Sequence, residues 1–316
     1  MSAAFLAAHG FADATAQPLP GDAGARRYAR LLGGPAPALL MQCPPAGGEA
    51  LGAFLALAEH LRAHGLRAPR ILAADAARGL ALVEDLGNDT MADALDAGAE
   101  AAPLYLAAAD TLATLHAAPV PEGAPRWGAP EMTEAASATF LDWWWPASFG
   151  APPPGPVRAE FGAALGAMLA PFAAAGALAH RDYFPANLVP GAAGLGLLDF
   201  QDAARGHPAY DLVSLVEDAR RDVTPALREA AIRRYEVRRP HAELRAAMAA
   251  LGAQRHLRVA ALWVRLARRD GKPRYLAHGP RCWALLGRAL EHEAAAPLAR
   301  FLDRHVPPAQ RRNPPC

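Results

Sequence analysis

The spacing of apolar positions changes along the chain. Residues 25–32 and 38–43 are short apolar-rich runs. They are bounded by Gly21-Asp22-Ala23-Gly24, Gly33-Gly34-Pro35 and Pro44-Pro45, which predicts two strands separated by turns. Leu51, Phe54, Leu55, Leu57, Ala58 and Leu61 then recur at helical spacing, with Gly65 where a helix-ending glycine belongs, so 48–65 is predicted helical. Two more short strands fit 70–74 and 80–85, and residues 1–86 read as a small sheet with one helix. Beyond residue 88 the helical period dominates. Leu104, Ala108, Leu112 and Leu115 mark a helix over 101–117, and further helices are predicted over 133–145, 157–175, 210–219, 224–236, 241–270 and 279–303. Two short apolar runs, Ala177–Ala179 and Leu195–Leu198, interrupt them, each followed by an acidic motif. The pattern predicts an α+β protein of two lobes: a small N-terminal sheet lobe, 1–86, and a larger, mostly helical C-terminal lobe, 87–316.

Composition narrows the function. The 316 residues carry 32 basic and 31 acidic side chains, a net charge of +1. That balance supplies no field to hold nucleic acid or an anionic membrane. Cys43, Cys282 and Cys316 are odd in number and far apart, which argues against a disulfide framework or a four-thiolate zinc site. No apolar run is long enough to span a bilayer, and Met1–Phe11 lacks the cationic start of a signal peptide, so a cytoplasmic protein is expected. No G-x-S-x-G elbow is present. The basic residues are almost all arginine, and Lys272 is the only lysine.

The densest chemical signal is His180-Arg181-Asp182-Tyr183-Phe184-Pro185-Ala186-Asn187, followed by Leu197-Leu198-Asp199-Phe200. Asp182 and Asn187 have the spacing of the kinase catalytic loop H-R-D-x-x-x-x-N, and Asp199-Phe200 stands where a metal-binding Asp-Phe-Gly would, with Gln201 as its third residue. Phosphoryl transfer requires these residue types. Mg²⁺ and a triphosphate take hard oxygen ligands, here the Asn187 amide and the Asp199 carboxylate. An attacking hydroxyl takes a carboxylate that orients it and accepts its proton, here Asp182. Glu84-Asp85-Leu86-Gly87 ends the last strand of the small lobe. It is the candidate hinge, with the backbone at Glu84 and Leu86 reading an adenine edge. ATP and Mg²⁺ are the expected cofactors.

One kinase element is missing. The lysine of V-A-I-K on the third strand is replaced by Met41, and no lysine elsewhere in this lobe substitutes for it. Arg26 and Arg27 are the candidates to contact phosphate oxygens in its place. Adjacent strand residues point to opposite faces, so only one of them can do so, and alternation alone leaves the choice open.

These motifs resemble the aminoglycoside phosphotransferase and choline kinase superfamily, over about residues 5–290. Within it they resemble the bacterial anomeric sugar kinases that phosphorylate N-acetylmuramate and N-acetylglucosamine at the 1-hydroxyl in cell-wall recycling. Gly21-Asp22-Ala23-Gly24-Ala25-Arg26-Arg27-Tyr28 is similar to that family's G-D-A-S-x-R-R-Y, and Met41-Gln42-Cys43-Pro44-Pro45 to its M-D-A-P-P. Leu82–Gly87 is similar to its L-L-E-D-L-G, Asp199–Ala203 to its D-F-Q-D-A, and Arg265–Lys272 to its R-L-x-x-R-D-G-K. The resemblance implies a protein-kinase-like fold, and that Asp211, within Pro208–Leu215, braces the catalytic loop. The chain departs from the pattern at Phe184 and Ala186, where the family has His and Arg, and at Gly24, where it has Ser.

For the acceptor the candidates are Trp144, as an apolar platform for a sugar face, with Asp202, Arg265 and Arg269 as polar contacts. A lactate carboxylate on the sugar would favour an arginine. The expected partner is thus a small-molecule amino sugar; protein partners are not legible. Another hydroxylated acceptor, such as an aminoglycoside or amino alcohol, is the alternative within the enzyme class. A nucleotide-binding pseudokinase is the alternative outside it, prompted by the missing lysine.

Overall fold

The structure is a computed structural model that describes residues 2–19, 26–43, 48–173 and 176–314. The turn expected at Gly21–Gly24 and the stop at Pro44-Pro45 lie outside the described residues. In chain order the elements begin α1 (Ser2–Ala8), β1 (Thr15–Pro18), β2 (Arg27–Leu32), β3 (Ala38–Gln42), α2 (Gly48–Ala63), β4 (Ile71–Asp75), β5 (Leu80–Glu84), α3 (Met91–Asp96) and α4 (Ala101–Ala117). They continue with β6 (Arg126–Trp127), α5 (Ala129–Ala136), α6 (Trp145–Phe149), α7 (Gly155–Leu169), β7 (Ala177–Ala179), β8 (Leu188–Val189), β9 (Gly196–Leu197) and β10 (Ala204–Gly206). The last are α8 (Ala209–Val216), α9 (Pro225–Arg238), α10 (Leu244–Asp270), α11 (Gly279–Leu290) and α12 (Ala296–His305).

Two compact units divide the chain: Met1–Pro121 with Pro185–Asp202, and Glu122–Phe184 with Ala203–Cys316. This cut differs from a division at residue 86. The segment 185–202 groups with the sheet because Leu197 N–H donates to the Arg67 carbonyl at 2.8 Å and Arg67 Nη1 donates to the Val189 carbonyl at 3.1 Å.

The first unit is built on an antiparallel sheet in the order β1-β2-β3-β5-β4. Its two faces follow the strand period of two. Leu31, Ala38, Leu40, Leu80 and Leu82 face one side, where Phe5, Leu6 and Phe11 from the α1 region cover them. Leu39 and Val83, paired across β3 and β5, therefore face the other side. The same rule orients β2. Leu31 belongs to the α1 core, so Arg27 and Ala29 share its face, whereas Arg26, Tyr28 and Arg30 share the opposite one. Thr90 and Asp93 close a reciprocal capping box that starts α3 after the last strand.

In the second unit, β6 and β7 flank β10. The rest of this unit is mostly helical, α5 to α12, with the 27-residue α10 as its longest helix. Its Gln254 Nε2 donates to the Met132 carbonyl at 2.8 Å, tying α10 to α5 deep in the core.

Most elements match the sequence pattern, with instructive exceptions. α1 and β1 were not anticipated; each is under two turns or five residues long, too short for a period to register. The helix expected over 133–145 contains a π-helical stretch, Ser137–Trp144, which changes which side chains share a face. The helix expected over 279–303 breaks between α11 and α12. There His292 caps a new turn by accepting from Ala294 N–H at 3.1 Å, and Pro297 stands at the start of α12, where a missing N–H is harmless.

Candidate functional site

In the first unit, the sheet face opposite α1 lines a cavity of about 360 Å³. Tyr28 and Arg30 come from β2, Leu39 from β3, Val83 and Glu84 from β5, and Asp85 to Asn88 from the strand's exit. Asn187, Leu198, Asp199, Phe200 and Gln201 also line it, beside Leu19, Phe54, Pro69 and Thr90. The predicted hinge and the two predicted metal ligands thus share one cavity.

The candidate hinge is fixed by charge. Arg30 forms a bidentate ion pair with the half-buried Asp85 carboxylate, which also accepts from Gly87 N–H at 2.9 Å. Glu84 accepts from Arg70 Nε at 3.2 Å and from Arg70 N–H at 3.1 Å. The Glu84 and Asp85 N–H groups are spent on the Arg70 and Pro37 carbonyls, and Leu86 follows at the cavity wall.

Tyr28 connects the cavity to Arg26. Burial pushes its phenol above the ordinary range, against the opposing charge and hydrogen bond of the Arg26 guanidinium. Arg26 is therefore on the cavity face beside Tyr28. Arg27, on the other face, is exposed and donates from Nη1 to the Arg26 carbonyl at 3.2 Å. Met41, in the lysine position, is wholly buried. Nearby, Phe54 of α2 stacks on Phe200, with ring centroids 5.0 Å apart and planes 17° from parallel. An apolar contact thus ties α2 to the Asp199-Phe200 turn.

Among the described non-glycine residues, only Arg181 (φ 75°) and Asp199 (φ 56°) occupy the left-handed region. That conformation costs an arginine roughly 1–2 kcal/mol, and such strain collects at functional sites. Asp199 is exposed, and its Oδ1 accepts from Gln201 Nε2 at 2.6 Å. Gln201 therefore orients the Asp199 carboxylate. In the second unit, Asp211 is fully buried and accepts the His180 N–H at 2.6 Å and the Arg181 N–H at 2.8 Å. Arg255 Nη1 donates to the Arg181 carbonyl at 3.1 Å, and the Arg181 guanidinium lies 4.0 Å over Trp127. Asp182 is half-buried at the end of this clamped segment.

Asn187 and Asp199 fit a magnesium ion, because an amide oxygen and one carboxylate in one cavity are the donors Mg²⁺ takes when phosphate oxygens and water fill its remaining positions. Among the described residues no group of three or more His, Cys, Asp or Glu could hold a metal by itself.

The acceptor candidates fare differently. Trp144 is no platform: it is fully buried, stacked on Phe140 at 4.7 Å, with its Nε1 donating to the Arg312 carbonyl at 2.9 Å. The π-helical stretch turns it into the core. Asp202 is exposed in the first unit, 3.5 Å from Gln201 Nε2. Arg269 is exposed and paired with its neighbour Asp270, whereas Arg265 is half-buried on α10. Phe184, where the resembled family has a histidine, packs under the Arg220 guanidinium at 4.3 Å. Sequence reading missed Tyr28, the Arg30–Asp85 pair and the Arg255–Tyr210 contact. Nothing in a local motif signals them, since each partner is distant in the chain.

A five-stranded antiparallel sheet with a cavity at the exit of β5, and a braced Asp-bearing loop in a mostly helical unit, match the kinase-like phosphotransferase class. The chain belongs to the Phosphotransferase enzyme family, which matches residues 15–251, and it is a phosphotransferase enzyme. It is 39% identical over 98% of its length to the N-acetylmuramate/N-acetylglucosamine kinase of Caulobacter vibrioides, 97% of which is covered. To the kinase of the same name from Pseudomonas aeruginosa it is 32% identical over 86% of its length, covering 83% of that protein. Among solved structures, an aminoglycoside phosphotransferase complexed with gentamicin superposes with a TM-score of 0.62 at 12% identity, covering 93% of this chain and 97% of that one. A choline/ethanolamine kinase family protein from Mesorhizobium loti superposes with a TM-score of 0.61 at 16% identity, covering 92% of each. These two similarities establish the fold.

Proposed function

We propose that the protein is an ATP- and Mg²⁺-dependent sugar kinase that phosphorylates the anomeric hydroxyl of N-acetylmuramate, N-acetylglucosamine or both, in cytoplasmic salvage of cell-wall amino sugars. The observation that carries this reading is the full-length 39% identity to a kinase named for those two sugars, combined with retention of Asp182, Asn187 and Asp199.

In this reading residues 1–86 serve the nucleotide and 87–316 the chemistry and the acceptor. The backbone at Glu84 and Leu86 takes the adenine edge between apolar walls that include Leu39 and Val83. Arg26 supplies the cation that the missing lysine would have given to the phosphates. Asn187 and Asp199 would hold Mg²⁺, which supplies charge neutralisation of the phosphate oxygens. Asp182 orients the sugar hydroxyl and accepts its proton as the oxygen attacks the γ-phosphorus. One O–P bond forms, the bond to the β-phosphate oxygen breaks, and ADP leaves. Asp211 holds the loop in place and touches no reactant.

Incubation of the protein with Mg-ATP and each sugar tests the reading, with phosphorus NMR locating the new ester. A sugar 1-phosphate is the expected product. Phosphorylation elsewhere on the sugar would overturn the anomeric assignment. Transfer only to an aminoglycoside or amino alcohol would overturn the substrate class, and Mg-ATP binding without transfer to any acceptor would favour a pseudokinase.

A further inference from the structure

One face of α10 carries arginines at positions 255, 258 and 265, the last two being separated by seven residues, close to two helical turns. Arg255 is buried and spent: its Nη1 donates to the Arg181 carbonyl at 3.1 Å and to the Tyr210 hydroxyl at 3.2 Å. Arg258 Nη2 donates to the same hydroxyl at 3.1 Å, so two guanidiniums converge on one phenol. Their charges outweigh the opposing effect of burial and hold the Tyr210 phenol below its usual range.

Beyond Tyr210 the compensation runs out. The Nε atoms of Arg258 and Arg265 are sealed from solvent without a hydrogen-bond partner among the described residues. Burial, followed by repulsion from Arg269 and Arg258, weakens the hold of Arg265 on its proton, with only Asp270 opposing. Asp270 is already committed, because Arg269 Nε and Nη2 bind its two oxygens at 2.7 and 3.1 Å. Arg265 thus stands half-buried between two cations, beside a carboxylate that another arginine neutralises. A guanidinium in that setting gains most from an arriving anion, and its planar fork matches a carboxylate. The start of this face is tied through Arg255 to the residue preceding Asp182.

We propose that Arg258 and Arg265 form an anion subsite that holds a carboxylate carried by the acceptor, and that Arg265 sets the preference for a carboxylated amino sugar over a neutral one. This rests on the assignment of Asp182 to the acceptor hydroxyl and of the nucleotide phosphates to the Asp199 cavity.

The experiment compares the full-length protein with Arg265→Gln and Arg265→Lys, using N-acetylmuramate and N-acetylglucosamine as the carboxylated and neutral probes. Arg265→Gln is expected to lower the ratio of kcat/KM for N-acetylmuramate to that for N-acetylglucosamine by roughly ten- to a hundredfold, with partial recovery in Arg265→Lys. An unchanged ratio, or a proportional fall for both sugars, would overturn the subsite. Calorimetric titration of each sugar without nucleotide separates this inference from the kinase reading. A binding preference for N-acetylmuramate that Arg265→Gln removes supports the subsite even if neither sugar is phosphorylated, and absence of any such preference overturns it.

Discussion

Asp211 accepts the backbone N–H of Arg181 at 2.8 Å while Arg181 holds a left-handed φ of 75°. A buried carboxylate thereby stabilises a backbone conformation that an arginine does not adopt unaided. Asp211→Asn keeps the volume but turns one acceptor into a donor facing an N–H. Turnover should fall more than tenfold, with a lower Tm, because each charge-assisted bond is worth about 1.5–3 kcal/mol. Binding of Mg-ATP should change far less. Steady-state kinetics beside a thermal melt checks it, and an unaltered kcat would show that the loop holds its shape without the brace.

The two carboxylates of the catalytic motifs should separate by readout. Asp182→Asn is expected to retain Mg-ATP binding and lose turnover by roughly a hundredfold or more. Asp199→Asn should also weaken nucleotide binding, and only when Mg²⁺ is present. Titration calorimetry with and without the metal distinguishes them. Near-normal turnover in Asp182→Asn would remove it from the proton-accepting role.

Arg26 and Arg27 should behave asymmetrically. Arg26 shares the cavity face with Tyr28 and Arg30, whereas Arg27 shares the face of Leu31. Arg26→Ala should raise the KM for ATP roughly ten- to a hundredfold, and Arg27→Ala should barely alter it. Equal, small effects would leave phosphate binding to the metal alone.

Glu217 predicts an acid-sensitive second unit. It is buried and accepts from Arg228 at 2.6 and 2.9 Å, lies 2.7 Å from His256 Nε2, and pairs with Arg288 at 3.0 Å. Burial opposes its ionisation. The His256 hydrogen bond and the charges of His256, Arg228 and Arg288 overcome that, lowering the carboxyl to about 2 from the usual 4.5. A carboxyl lowered on folding contributes stability above its unfolded pKa, and this contribution is lost as pH falls from about 4.5 toward 2. Glu217→Gln should cost about 1.5–3 kcal/mol at neutral pH, since it removes the charge-assisted hydrogen bonds that the half-buried Arg228 guanidinium makes. It should also flatten the decline of stability across that acid window. Urea melts at several pH values measure both.

The sequence by itself determined most of the elements and the candidate chemistry. Short apolar runs bounded by turn residues gave β2 to β5 and the helical period gave α2, α4 and α8 to α10, because these follow from local spacing. Asp182, Asn187, Asp199 and the Glu84–Leu86 segment stood out as candidates because short motifs hold such groups at characteristic intervals, and the fold puts Asn187, Asp199 and residues 84–86 on one cavity. Tertiary structure alone decided which face each side chain took. Leu31 packing against Phe5 and Phe11 set the register of β2, and so put Arg26 rather than Arg27 beside Tyr28. A π-helical stretch buried Trp144, which a strict helical period does not foresee. Asp270 capturing Arg269 left Arg265 uncompensated, and the convergence of Arg255 and Arg258 on Tyr210 joined residues more than forty positions apart. Such pairings are set by which faces the folded chain buries together, and no local period encodes that.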